Sequence, residues 1–303
     1  MRAKRYRLTY TRSIALSFLI VICCGALLLS LPVASRSGDW TSPINAFFTA
    51  TSATCVTGLI IGDTYTYWSL FGQLVILLLI QVGGLGFMTV ISMFTVFSGK
   101  NISFHERRLL MESIRSTRYN GIASLLKRIL IGTLFCETLG AFVLSLRFVP
   151  QMGLGQGIYY GIFHSVSAFC NAGFDLMGKY REYSSFTAYT GDPVVCLTLA
   201  ALIIVSGLGF LVWTDVLKNR FHFQRFSLHS KIVLSVTAFL IFFGWAAFYF
   251  SESHGVFSSL SNGDKVVAAF FQSVSPRTAG INTVDQGSLS NAGYILNLFY
   301  MFV

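Results

Sequence analysis

Three short stretches carry residues whose types and spacing could hold a metal cation on main-chain oxygen alone: AFFTATSATCVTGL, GIFHSVSAFCNAGF and AFFQSVSPRTAGIN. Each places an aromatic residue before a helix-compatible run rich in Ser, Thr and Ala, and each run closes on a turn that reaches a glycine, Gly58, Gly173 or Gly280. Glycine adopts left-handed dihedrals that L side chains resist, so a glycine turn can aim several carbonyls at one axis. Carbonyl rings that replace a hydration shell are the selectivity device of potassium pores. A helix that ends just before such a turn adds the partial negative charge of its C-terminus, which favours a cation.

The elements that must position these turns are hydrophobic. Of the 303 residues 54% are hydrophobic and only 11% are charged, where an average soluble domain carries about 25% charged residues. The mean hydropathy is +0.66. Apolar runs long enough to span a bilayer cover 13–31, 69–97, 125–146, 193–216 and 231–250, and a sixth begins near 294; a span needs about 20 residues. The glycine-ended segments, 43–57, 157–172 and 265–279, fall between spans one and two, three and four, and five and six. Their length favours re-entrant helices. Irregular backbone at membrane depth is tolerated where it is buried in protein or lines a water-filled path.

The unit is therefore span, re-entrant helix, glycine turn, span, twice in full and a third time without its end. The first two copies both run on into GLGF, at 84–87 and 207–210. The boundaries are then a basic N-terminus (1–12), repeat 1 (13–97), a basic loop (98–124), repeat 2 (125–217), a second loop (218–230) and an incomplete repeat 3 (231–303). The fold class expected is an all-α polytopic membrane protein.

The net charge of +10 has a distribution that argues against nucleic acid. Sixteen of the 22 basic residues cluster in 2–12, 100–128 and 218–231, in alternate connections. The positive-inside rule places these segments and the N-terminus in the cytoplasm and all three glycine turns outside. The repeats are then parallel, related by an axis along the membrane normal, unlike the inverted repeats of many secondary transporters.

Other chemistry-bearing residues fit less well. Asp63 and Asp285 lie five residues after their glycines and Asp175 two after Gly173, so the three carboxylates could form an outer vestibule that attracts cations or be solvated loop residues. Arg277 stands three residues before Gly280 and is read as a loop anchor. Glu137, inside the third span, is a functional suspect as an intramembrane carboxylate, with a structural pair to a neighbouring helix as the favoured reading. His164 is read as a hydrogen-bonded packing residue. Six cysteines, Cys55 and Cys170 among them, show no metal-binding spacing and read as buried small hydrophobes. No HExxH, GxSxG or Walker glycine loop occurs, and Ser92 and His105 show no nucleophile–base relation, so no enzyme is expected. Two other function classes stay open: a non-transporting scaffold that docks a partner on its basic loops, and a proton-coupled solute transporter, for which Glu137 alone is a thin basis.

At TSATCVTGL, QVGGLGFMT, FHSVSAFCNAGF, the second GLGF, FSLHSK and FFQSVSPRTAGIN the sequence resembles the Trk/Ktr/HKT superfamily of potassium transporters, closest to the bacterial KtrB-type membrane subunit, over essentially its whole length. The resemblance implies four span–pore-helix–span units in a pseudo-fourfold arrangement around one ion path, of which about three are present here. It assigns Val56, Thr57 and Gly58, Asn171, Ala172 and Gly173, and Thr278, Ala279 and Gly280 to a backbone filter for K+. It further implies potassium uptake at the cell membrane, no covalently bound cofactor, Na+ as a coupling or activating ion, a homodimer in membrane lipid, and a cytosolic ring of nucleotide-binding regulatory subunits. The family's fourth repeat and the glycine-rich gating loop of repeat three do not occur before Val303, so the chain is expected to be part of a longer protein.

Overall fold

The structure is a computed structural model that describes residues 10–86, 122–220 and 222–302. Its helices run in the order α1 (Tyr10–Ser30), α2 (Pro43–Cys55), the one-turn α3 (Thr64–Tyr67), α4 (Leu70–Leu85), α5 (Ile122–Met152), α6 (Leu154–Phe169), α7 (Pro193–Gly207), α8 (Phe210–Lys218), α9 (Leu228–Glu252), α10 (Asn262–Val274) and α11 (Asn291–Met301). Among the described residues the only strand-like pairing is an isolated antiparallel bridge between Ser35 and Trp68.

Length and composition separate two kinds of helix. α1, α5 and α9 are long and apolar enough to cross a membrane, and between 22% and 28% of their most apolar stretches is buried in the protein. The remainder, with Leu27, Phe135, Phe142, Phe239 and Phe250 exposed, is apolar surface of the kind that suits a bilayer. α2, α6 and α10 have 13, 16 and 13 residues, too few for a crossing. Each comes after a long helix and packs back against it. Trp245 Nε1 of α9 donates to the Val266 carbonyl of α10 (3.0 Å), and Ser165 Oγ of α6 donates to the Glu137 carbonyl of α5 (2.7 Å).

The helices α4, α7 and α11 each start from a capping side chain that satisfies free N–H groups of the first turn. Ser69 accepts from Gly72 N, Asp192 from Val194 N and Val195 N, and Ser290 from Gly293 N. Pro193 stands after Asp192 in the first helical position, where its missing N–H costs nothing.

Two expectations change at α4 and α7. The apolar runs 69–97 and 193–216 read as continuous spans, but α4 ends at Leu85 with Gly86 at φ +80°, beyond which 87–97 lie outside the described residues, and α7 gives way at Gly209, φ +82°. After Gly209 the chain resumes as α8, bent by 89° from α7, and Trp213 Nε1 of α8 donates back to the Val205 carbonyl (2.7 Å). Phe87, Ser92, His105 and nearly all of the basic loop 98–124 lie outside the described residues.

The core gathers at the glycine turns. On α2, Ala46, Ala50 and Ala53 share one face and are fully buried, small enough for close approach of the helices on either side. They join Leu29, Ile76 and Ile80 of repeat 1, Phe163 and Ala172 of repeat 2, and Phe271 and Ala279 of repeat 3 in one continuous cluster. The adjacent glycines of QVGG let α4 touch two re-entrant helices at once. A Cβ at Gly83 would overlap the Thr54 carbonyl oxygen, and one at Gly84 would lie 2.5 Å from Cys170 Sγ.

Candidate functional site

The three glycine turns, 115 and 107 residues apart in sequence, come together in space. A Cβ at Gly58 would lie 2.7 Å from the Ala172 carbonyl oxygen and 3.3 Å from Gly173 Cα. One at Gly173 would lie 2.6 Å from the Ala279 carbonyl oxygen. The contacts run in one sense, from the first turn to the second and from the second to the third. Beside Gly280 no described atom lies within 4 Å of the same position. The φ angles are +72°, +73° and +67°, so each turn needs glycine for its dihedrals and the first two also for space.

Each helix reaches its glycine by a turn built on one serine. Counting four residues on from Phe48, Phe163 and Phe271 gives Ser52, Ser167 and Ser275. Thr57 N donates to the Ser52 carbonyl (2.9 Å), Ala172 N to that of Ser167 (2.8 Å), and both Ala279 N and Gly280 N to that of Ser275 (3.0 and 3.1 Å). In the first two copies the glycine lies six positions after the serine, and the extra residue is left-handed: Val56 and Asn171 both have φ +57°. The third copy has five, and a single 3-10 turn over Ser275–Arg277 replaces the left-handed residue, leaving Thr278 at φ −157°.

Around these turns lie side chains whose roles the sequence left open. Asn171 Nδ2 donates to Ser206 Oγ (3.0 Å) and ties the second turn to α7 at the bend. Thr57 and Thr278 are exposed and Ala172 and Ala279 buried. Glu137 is 6% exposed and accepts from Gln81 Nε2 of α4 (2.9 Å), a bond between repeats 1 and 2. His164 is fully buried. Its Nδ1 faces the Tyr160 carbonyl (2.8 Å) and its Nε2 the Leu176 N–H (3.0 Å). A backbone N–H can only donate, so Nε2 is the acceptor, Nδ1 carries the hydrogen and the ring is neutral. Arg277 lies three residues before Gly280, as Cys55 and Cys170 do before their glycines, and its Nε is buried with no hydrogen-bond partner among the described residues. The cysteines divide: Cys170 and Cys196 are buried, whereas Cys23, Cys24 and Cys55 are exposed, contrary to the expectation of buried thiols throughout.

The three acidic residues differ from one another. Asp63 is 5% exposed, with Oδ1 accepting from Tyr65 N and Thr66 N (both 2.9 Å) and Oδ2 from Tyr183 N (3.1 Å). It therefore braces the segment around Tyr183 against the one around Asp63, and a solvated loop carboxylate does not describe it. Asp175 is partly buried, and Oδ1 accepts from Met177 N (3.0 Å). Burial pushes its carboxyl up to about 6, the nearby Asp63 adds to the rise, and hydrogen bonds from Met177 and Ser185 oppose it. Asp285 is exposed and lines an outer cleft of about 550 Å³ with Arg181, Glu182 and Thr283. The same segment of repeat 2 reaches repeat 3, where Phe186 N donates to the Asn282 carbonyl (2.8 Å) and Thr190 Oγ1 to that of Thr283. Sequence reading missed these braces because their partners are main-chain groups more than 90 residues away.

Comparison with known proteins agrees with this architecture. The family described as "TrkH: Cation transport protein" matches residues 17–303. The chain is 42% identical over 302 residues to the potassium/sodium uptake protein NtpJ of Enterococcus hirae, covering 99% of this chain and 65% of that one. It is 40% identical over 303 residues to the Ktr system potassium uptake protein B of Bacillus subtilis, covering 99% and 66%. It thus spans less than two thirds of the length of these curated relatives. The crystal structure of the potassium transporter TrkH from Vibrio parahaemolyticus superposes with a TM-score of 0.68 at 17% identity, over 99% of this chain and 57% of that one, a likeness of fold. With span, short helix and glycine turn recurring along a membrane chain that the family description matches nearly from end to end, the protein belongs to the TrkH family of cation transport proteins.

Proposed function

We propose that the chain forms most of a potassium uptake pore whose filter is the backbone of 56–58, 171–173 and 278–280. The observation that carries this reading is the convergence of Gly58, Gly173 and Gly280, each at positive φ and each a few residues past the end of a short helix. Turns of that form present carbonyl oxygens to a cation, and the helix C-termini behind them add favourable field. The same-sense contacts from copy to copy fit a pseudo-fourfold ring, with a fourth wall beside Gly280. Asp175 and Asp285 flank the outer mouth and Asp63 braces it. The names of the relatives support K+ as the permeant ion, with Na+ as a second transported or activating ion.

The word "system" in the Ktr relative's name supports a membrane subunit that works with a partner. We place the docking surface for a cytosolic nucleotide-binding ring on the basic segments around 98–128 and 218–231, in a homodimer with a cytoplasmic N-terminus. A proton-coupled mechanism gains nothing from Glu137, whose hydrogen-bond partner is an amide rather than a second titratable side chain. The test is potassium uptake by the full-length protein in cells that lack other uptake systems. Uptake that favours K+ over Na+, with discrimination eroded by Gly58→Ser, is the expected result. No uptake, or selectivity indifferent to Gly58→Ser, contradicts the proposal.

A further inference from the structure

The serines that end the three re-entrant helices do more than terminate them. Ser167 is fully buried and Ser275 is 2% exposed, and most buried hydroxyls are hydrogen-bonded. Ser167 Oγ donates to the carbonyl of Phe174 (2.5 Å) and Ser275 Oγ to that of Ile281 (2.5 Å). Phe174 and Ile281 are the residues immediately after Gly173 and Gly280. The register from serine to glycine differs between the two copies, six residues against five, yet the hydroxyl finds the same carbonyl. In the first copy Ser52, also buried, is engaged differently: Thr57 Oγ1 donates to Ser52 Oγ (3.0 Å).

We propose that Ser167 and Ser275 are positioning residues of the ion path. Each turns the carbonyl just past its glycine back toward the re-entrant helix, and so fixes where the ion-facing carbonyls lie and where the narrow segment ends on its outer side. A carbonyl turned toward its helix serine points its oxygen away from the axis. In repeats 2 and 3 the last ion-facing oxygens therefore belong to residues up to and including Gly173 and Gly280. In repeat 1 the serine acts on the Thr57 side chain, which makes that wall the one whose return segment is not held by its helix serine. The inference rests on the transport reading above and adds to it the side chains that set the filter's register. It also restores a role for hydroxyls within a site whose ion contacts are main-chain oxygens.

The experiment uses the full-length protein in proteoliposomes, with rubidium as tracer for potassium and sodium as competitor. Ser167→Ala and Ser275→Ala are expected to raise the apparent KM for rubidium about fivefold each, the factor corresponding to one net hydrogen bond, and to strengthen inhibition by sodium. Thermal unfolding and maximal rate should stay near those of the unsubstituted protein. Ser→Thr at either position keeps the hydroxyl and should keep the KM. If the alanine variants do not accumulate, Ser→Cys, similar in shape and a weak donor, should show the KM shift that Ser→Thr lacks. Unchanged KM and sodium inhibition in the Ala or Cys variants overturns the inference, as do equal shifts in the Thr and Ala variants. In those cases transport by the unsubstituted protein leaves the wider reading standing. Absence of uptake by the unsubstituted protein overturns both.

Discussion

Val56 is a β-branched residue held at φ +57° and ψ +44°, a conformation that costs an L side chain roughly 1–2 kcal/mol. Its Cγ2 packs so close to Gly83 that a Cβ there would lie 3.1 Å away, and this packing helps hold the strained turn. Backbone strain of this kind collects where a site over-determines its own geometry. The equivalent residue in repeat 2 is Asn171, a type that tolerates the left-handed region. Val56→Asn should therefore relieve strain and raise stability by about 1 kcal/mol, read as an increase in the thermal unfolding midpoint of the purified protein. A lower midpoint would show that packing of Val56 on Gly83 outweighs the strain. At this scale the glycines were legible, because positive φ has a residue signature. The left-handed Val56 was not, since nothing in a valine announces it.

At the scale of elements, the long helices and the three re-entrant helices derive from the length of apolar runs and from the placement of Ser, Asp and Pro at their starts. The helix ends at GLGF were not legible, because glycine between apolar residues also suits close packing of continuous helices. Nor were the outer braces, since Asp63 in sequence resembles any loop carboxylate while its partners include a distant N–H on Tyr183. The return segment after Gly173 carries the pH consequence of such burial. The folded value of Asp175, about 6, lies above the usual aspartate value near 3.9. Its contribution to stability is thus fully present below about pH 4 and is lost as pH rises through about 6. On the proposed reading, the same ionisation gives the outer mouth a negative charge above about pH 6. Rubidium uptake by the full-length protein should fall as external pH drops from about 7 to about 5, and Asp175→Asn should flatten that dependence. An unaltered pH profile in Asp175→Asn would remove this residue from the outer mouth.

For the whole molecule, the common direction of contact from Gly58 to Ala172 and from Gly173 to Ala279 leaves Gly280 facing no described atom within 4 Å. On the proposed ring a fourth wall closes there. Gly280→Ala in the full-length protein should then abolish uptake as fully as Gly58→Ala and Gly173→Ala, whose added Cβ would meet a neighbouring carbonyl at 2.7 and 2.6 Å. If Gly280→Ala is markedly milder, strain in φ alone acts there and the ring is open on that side. Three stretches of similar sequence were legible from their shared spacing, while the contacts between their glycine turns were not, because each contact joins residues more than 100 positions apart. The most direct test of the central claim is anomalous scattering from rubidium in crystals of the full-length protein. A peak on the axis enclosed by the backbone of Thr57–Gly58, Ala172–Gly173 and Ala279–Gly280 is the predicted result. Well-ordered glycine turns with no rubidium between them, and rubidium bound elsewhere in the membrane region, would contradict it.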